Sequence, residues 1–176
     1  MELISLSSLI EASQGESEFL QQKLSSFQCS KNGDVELFLH TKAIEMDGRS
    51  IRTTLVIDEK SSEIVGYFTI GIKPFKFGTV SGSLKQKLSG NKNAELFNTI
   101  LIAQLGRSDA YKSLVSGTQI LDFALKRCNE INTLAALRVV SVEYEDNPKL
   151  NHFYENNGFK FIQINDNGLK LSYVRL

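Results

Sequence analysis

The chain is short of the residues that make loose connections and metal clusters. Only 2 of its 176 residues are proline and 12 are glycine, so no long flexible linker is expected, and the length suits one domain over residues 1–176 with a real core. Cysteine is equally scarce. Cys29 and Cys128 lie far apart and form no CxxC pair, which reads as reduced, buried or half-buried thiols in a cytoplasmic protein. His40 and His152 are isolated too; a zinc site needs several ligands at close spacing, so no metal is expected. Net charge is also missing. Lys+Arg and Asp+Glu both number 20, which removes bulk attraction to nucleic acid or membrane and leaves room only for a local patch. No apolar run approaches the ~20 residues that span a bilayer. The start Met1-Glu2-Leu3-Ile4-Ser5 has no basic residue ahead of its apolar ones, so no signal peptide is expected.

What is present alternates strand and helix patterns. Glu2–Leu6 suits a short strand. Glu16–Phe27 puts Phe19, Leu20, Leu24 and Phe27 on one helical face. Asn32-Gly33-Asp34 breaks the chain, and Asp34 is the expected N-cap of a helix over Val35–Met46, with Leu37, Phe38 and Ile44 inward and Asp47-Gly48 as its stop. The β-branched stretches Ile51–Asp58 and Ile64–Ile72 flank a polar turn and read as an antiparallel hairpin. Lys73–Asn93 reads as a long surface loop or an irregular segment. A strand over Asn98–Arg107, a helix over Thr118–Ile131, a strand over Ala136–Tyr144 and a helix over Pro148–Asn156 follow. A final hairpin joins Phe159–Ile164 to Leu169–Val174. The expected class is α/β: a mixed central sheet of six to seven strands with four helices.

The most informative segment is Val142–Phe159. A strand ends, Asn147 and Pro148 open a short helix, and the helix stops at Asn157-Gly158, a glycine end. Asn147, six intervening residues and Tyr154-Glu155-Asn156-Asn157-Gly158-Phe159 resemble motif B of the GNAT superfamily of N-acetyltransferases. Upstream, Lys112-Ser113-Leu114-Val115-Ser116-Gly117 resembles that superfamily's motif A loop, Gln/Arg-x-x-Gly-x-Gly/Ala. One helix and one strand separate the two segments, as the superfamily requires. Val115 stands where the pattern has its middle glycine, and a β-branched residue resists positive φ; Lys112 stands for Gln/Arg and can meet a phosphate as a point charge.

The resemblance implies a GNAT fold with splayed fourth and fifth strands and acetyl-CoA as co-substrate. Lys112 and the amides of Ser113, Leu114, Val115, Ser116, Gly117 and Thr118 would hold the pyrophosphate at a helix N-terminus. Main-chain groups of Leu105, Gly106 and Arg107 would pair with pantetheine amides, as would Asn147. Tyr154 would protonate the leaving thiolate. Taken as residues alone, Tyr154 also reads as a core aromatic and the loop as an ordinary strand-to-helix turn. Glu143 and Glu145 share one strand face, where a carboxylate serves as general base or as a surface residue; lone His40 reads as structural.

The first half, Asp34–Ile44 and the hairpin after it, is similar to the toxin-type branch, whose members acetylate aminoacyl-tRNA and are neutralised by an antitoxin. This implies an amine acceptor of that kind and an antitoxin partner; a homodimer stays open. Two features depart from that branch: the neutral charge, and Gln104-Leu105-Gly106 where its members have Arg-Leu-Ala. Lys73, Lys76, Lys85, Lys87 and Lys92 cluster around Phe75 and Phe77, which reads either as an RNA-facing loop or as a solvated one. The alternatives to a toxin are a housekeeping acetyltransferase of a small amine or protein N-terminus, and a non-catalytic binding domain of the same fold.

Overall fold

Among the described residues the β-branched runs and amphipathic stretches fold as seven strands and seven α-helices; the computed structural model describes residues 1–13 and 17–176. The strands follow the order β1-β2-β3-β4-β5-β7-β6. By compactness the chain divides into two units, Met1–Gly71 with Ala103–Ala124 and Ile72–Ile102 with Leu125–Leu176.

In the first unit, β1 (Glu2–Ser5) pairs antiparallel with β2 (Arg52–Ile57), and β2 pairs antiparallel with the start of β3 (Ile64–Lys76). The expected hairpin is there. Helices α1 (Leu6–Ala12), α2 (Ser17–Ser25), α3 (Gly33–Thr41) and α4 (Ala43–Met46) bury Leu6, Leu20, Leu24, Val35, Leu39 and Ala43, together with Phe27 just past α2, against Leu55, Ile57 and Tyr67. The reading of Glu16 as a helix start lies outside the described residues. Three details differ from expectation. Asn32, not Asp34, caps α3: its side chain accepts from the Val35 amide at 3.4 Å. The helix expected over Val35–Met46 breaks at Lys42 into α3 and α4. The inward face runs through Val35, Leu39 and Ala43, spaced by four, so Leu37 is 56% exposed, and Phe19 is exposed too. Asp47 then closes α4 as a stop should, accepting from the Thr53 amide at 2.6 Å.

In the second unit, the start of β4 (Leu96–Arg107) pairs parallel with β5 (Val139–Tyr144), Ile100 opposite Val140 and Ile102 opposite Val142. β5 pairs antiparallel with β7 (Lys170–Arg175), and β7 with β6 (Lys160–Ile164). Thr99, buried at the start of this parallel pair, donates to the Val139 carbonyl at 2.9 Å. The segment expected to be a loop over Lys73–Asn93 is ordered instead: β3 continues to Lys76, and α5 spans Gly82–Ser89. Ser81 caps α5 and Gly90, at φ +80, ends it. The helix is missed because its apolar face is only Leu84 and Leu88. Phe75 and Leu88 are core here, packed with Phe97, Leu101, Ile162 and Leu171, and Phe77 packs against them. The two aromatics among the lysines are therefore not a free stacking surface. Helices α6 (Gly117–Ala135) and α7 (Pro148–Asn156) complete the set; the count exceeds the expected four by α1, by α5, and by the division of α3 from α4.

Candidate active site

The loop after β4 belongs to the first unit. β4 ends in Leu105, Gly106 and Arg107, and a 3₁₀ turn follows at Asp109–Tyr111. A Cβ on Gly106 would lie 2.6 Å from Val35 Cγ1, 3.0 Å from Tyr67 Cε1 and 3.1 Å from Phe27 Cζ, so the strand end has room for hydrogen only. Beyond it the loop is tied down residue by residue. The Ser108 amide donates to Val65 O at 2.8 Å and the Asp109 amide to Gln28 O at 2.8 Å. The Asp109 carboxylate accepts from Ser30, and those hydrogen bonds hold its carboxyl below the usual range. Tyr111 OH donates to Glu63 at 2.7 Å and sits 3.0 Å from Ser61 Oγ, which latches the loop to the β2–β3 turn.

Arg107 does not point its charge at an open phosphate position. Its guanidinium donates to the carbonyls of Val115 at 3.1 Å and Lys112 at 3.4 Å. Val115 is 2% exposed and does not need positive φ. It serves as a plug driven into the core, and the missing glycine is answered by a loop that turns on side chains. Ser116 and Gln119 then form a reciprocal capping box: the Gln119 amide donates to Ser116 Oγ at 3.1 Å and the Ser116 amide to Gln119 Oε1 at 2.8 Å. The Ser-x-x-Gln spacing was there to be read in the sequence; the parts played by Tyr111 and Arg107 had no comparable signal.

These bonds decide which donors remain. The Leu114 and Val115 amides both donate to Tyr111 O, at 3.0 and 2.9 Å, and that of Ser116 is held by Gln119. Gly117 and Thr118 stand in the first turn of a 19-residue helix, where amides have no intrahelical acceptor. With exposed Lys112 and Ser113 they make a small cationic, donor-rich corner of the kind that suits a phosphate.

The second unit holds the other expected residues. Asn147 caps α7: its Oδ1 accepts from the Lys149 amide at 2.9 Å, and Pro148 takes the first turn. The cap uses the oxygen and leaves the side-chain amide as a donor. At the far end Gly158 adopts φ +82, its amide donates to Glu155 O at 3.0 Å and that of Phe159 to Tyr154 O at 3.0 Å. This is the Schellman ending, and its usual apolar contact joins Tyr154 to Phe159, with ring centroids 5.4 Å apart. The Tyr-Glu-x-x-Gly-Phe pattern is thus a helix stop that also fixes one tyrosine. Tyr144 lies 4.6 Å from the Tyr154 ring and Phe153 5.1 Å. Burial, and secondarily Tyr144, push the Tyr154 phenol above its ordinary value, so it stays protonated at neutral pH.

The chain shares its fold with the AtaT and KacT toxins. AtaT complexed with acetyl-methionyl-tRNAfMet matches with a TM-score of 0.71 and 17% identity over 86% of each chain. A tyrosine-to-phenylalanine mutant of KacT matches at 0.69 and 17%, again over 86% of each. A tyrosine-to-phenylalanine mutant of AtaT, bound to the C-terminus of the antitoxin AtaR and acetyl-CoA, matches at 0.67 and 15%, over 87% of this chain and 85% of that one. No protein-family model and no curated protein sequence matches the chain.

The remaining candidates have plain roles. Glu143 is paired with Lys73 at 2.6 Å and accepts from Asn165 at 2.7 Å, so both its oxygens are engaged; Glu145 is exposed just past β5. His40 donates to Phe27 O at 2.8 Å, the structural role expected of it. Cys29 and Cys128 are free and buried. Among the described residues no group of His, Cys, Asp and Glu is arranged to hold a metal, and no helix is long and apolar enough to cross a membrane.

Proposed function

We propose that the chain is an acetyl-CoA-dependent N-acetyltransferase that acts as one domain in the cytoplasm and modifies the amino group of an aminoacyl-tRNA. The observation that carries this reading is the reach of the fold likeness: 86% of the chain follows AtaT, whose complex holds acetyl-methionyl-tRNAfMet. The AtaT complex with AtaR and acetyl-CoA supports acetyl-CoA as co-substrate and an antitoxin as partner. Acetyl-CoA supplies an activated acetyl thioester. Lys112 and the amides of Ser113, Gly117 and Thr118 hold its pyrophosphate, while the Asn147 side-chain amide and the main chain of Leu105–Arg107, on a fourth strand splayed from the fifth, pair with its pantetheine arm. The neutral amine attacks the thioester carbonyl directly, so that the C–N bond forms and the C–S bond breaks. A carboxylate or ordered water takes the proton the nitrogen loses, and Tyr154 keeps its own proton until the thiolate departs and then donates it.

The test is a calorimetric titration with acetyl-CoA, followed by turnover with charged initiator tRNA. Saturable heat is expected, with a stabilisation of ~2.7 kcal/mol at a hundredfold excess over the dissociation constant. No heat at millimolar acetyl-CoA would sink the reading. A second acceptor class, a small amine or protein N-terminus, is favoured by the zero net charge and by the burial of Phe75 among the lysines. Acetylation of such amines with charged tRNA left untouched, and no growth arrest on expression, decides for it.

A further inference from the structure

The zero net charge is the sum of two unlike units. Met1–Gly71 with Ala103–Ala124 carries 8 lysines and arginines against 13 aspartates and glutamates, and Ile72–Ile102 with Leu125–Leu176 carries 12 against 7. The first unit is acidic and the second basic. Within the second, the segment from Lys73 to Ala94 holds five lysines and no acid. Among the described residues only Lys73 of the five is in an ion pair, with Glu143. The lysines of α5 are held by rings instead. Lys85 Nζ lies 5.6 Å from the centroid of the Phe77 ring, and Lys87 Nζ 5.8 Å from that of Tyr173. Two more cations join them by register. Lys160 of β6 stands directly opposite Tyr173 of β7, so the two share a sheet face; Arg175, two residues further along β7, shares it as well. It is the face that α5 covers, since Leu88 packs in one cluster with Tyr173 and Leu171. Lys87, Lys160 and Arg175 are exposed there, and Lys85 is half-buried.

A ring and a carboxylate both hold an ammonium in place, with opposite results. The carboxylate neutralises it. The ring attracts it through its quadrupole and leaves the charge whole, with N–H donors for an outside acceptor. Lysines fixed in this way and left charged suit a polyanion. The rings themselves offer nothing further: Tyr173 is 4% exposed, and Phe77 stacks on Phe97 with centroids 4.6 Å apart. Single-stranded RNA is held largely by stacking its bases on open rings. Helical RNA keeps its base faces covered and presents its phosphates. We propose that the α5 face of the second unit, centred on Lys85, Lys87, Lys160 and Arg175, docks the phosphate backbone of a helical RNA. The proposal rests on the reading of the acceptor as an aminoacyl-tRNA: the helical RNA is a stem of that tRNA, gripped without regard to base sequence. The first unit, being acidic, adds no such grip.

The experiment follows the fluorescence anisotropy of an end-labelled, uncharged tRNA over a salt series, without acetyl-CoA. It compares the full wild-type chain with Lys85→Gln/Lys87→Gln and with Lys31→Gln/Lys42→Gln/Lys60→Gln, a control in the first unit. Wild type should bind with an affinity that falls steeply as salt rises. The α5 variant should bind about tenfold more weakly at low salt, and its slope of log affinity against log salt should be shallower by about two, one counterion for each lysine lost from a phosphate. The first-unit variant loses more charge and should still bind close to wild type. All three proteins should bind acetyl-CoA equally, which shows that they are folded. Equal tRNA binding by the α5 variant, or equal weakening in both variants, overturns the proposal and leaves the acceptor reading standing. Absence of tRNA binding by wild type overturns it too, and turnover with charged initiator tRNA then decides whether the acceptor reading falls with it. A single-stranded RNA of the same length bound as tightly as tRNA overturns the assignment to helical RNA. Duplex DNA bound as tightly overturns it in favour of a DNA surface.

Discussion

The segments that follow β4 and β5 face similar tasks and solve them with different chemistry. After β5, the backbone does the work: one glycine at positive φ and two backbone hydrogen bonds end α7 and fix Tyr154. After β4, side chains do it: the Arg107 guanidinium, the Tyr111 phenol, the Val115 plug and the Ser116–Gln119 box hold a loop without any glycine in its middle. A backbone device fails at one position and tolerates change elsewhere. A side-chain device spreads its energy over several contacts, so each one is worth less.

The largest expected effect tests what the backbone device is for. Tyr154→Phe keeps the ring among Tyr144, Phe153 and Phe159, so Tm and acetyl-CoA affinity should hold while turnover falls ~10²–10⁴-fold. Near-wild-type turnover would return the tyrosine to a packing role. Next comes Gly106→Ala. The new Cβ needs space that Val35, Tyr67 and Phe27 occupy, and overpacking of this kind costs about 1–3 kcal/mol, measurable by urea denaturation. Gly158→Ala should cost about 1–2 kcal/mol for the left-handed conformation and lower turnover as Tyr154 shifts. Tyr111→Phe should be milder, about 1 kcal/mol, and should raise the KM for acetyl-CoA more than it lowers kcat. If Tyr111→Phe proves as damaging as Gly158→Ala, the contrast between the two segments is wrong.

The smallest effect lies outside both. Burial pushes the Cys128 thiol up to about 12 from 9.0. The folded protein holds that proton more tightly than the unfolded chain does. Its contribution is therefore whole below pH 9.0 and is lost as pH rises toward about 12. In Cys128→Ala the urea midpoint should fall less steeply above about pH 9 than in wild type. Parallel slopes would remove the thiol as the cause.

Legibility followed the same division. The end of α7 could be read because positive φ leaves few choices but glycine, and the hairpin because Ile51–Asp58 and Ile64–Ile72 are dense in β-branched residues. The α5 helix escaped because Leu84 and Leu88 are a thin signal in a run of lysine, serine and glycine. The inward face of α3 was misassigned at Leu37 because Leu-Phe-Leu offers three apolar residues and the core accepts the face that includes Leu39. Val115 looked like a defect because a motif records the commonest solution, and a buried side chain can replace it.

The crowding at Gly106 has an evolutionary consequence. Phe27, Val35 and Tyr67 fill the space that a methyl at 106 would need, so the glycine and its neighbours are epistatic. A lineage carrying alanine there cannot acquire Val35 without loss, and this one cannot acquire alanine while keeping Val35, whose Cγ1 would lie 2.6 Å from the new Cβ. Passage between the two states calls for a trimmed side chain and an added methyl together, and the double exchange Val35→Ala/Gly106→Ala should be better tolerated than the sum of its parts.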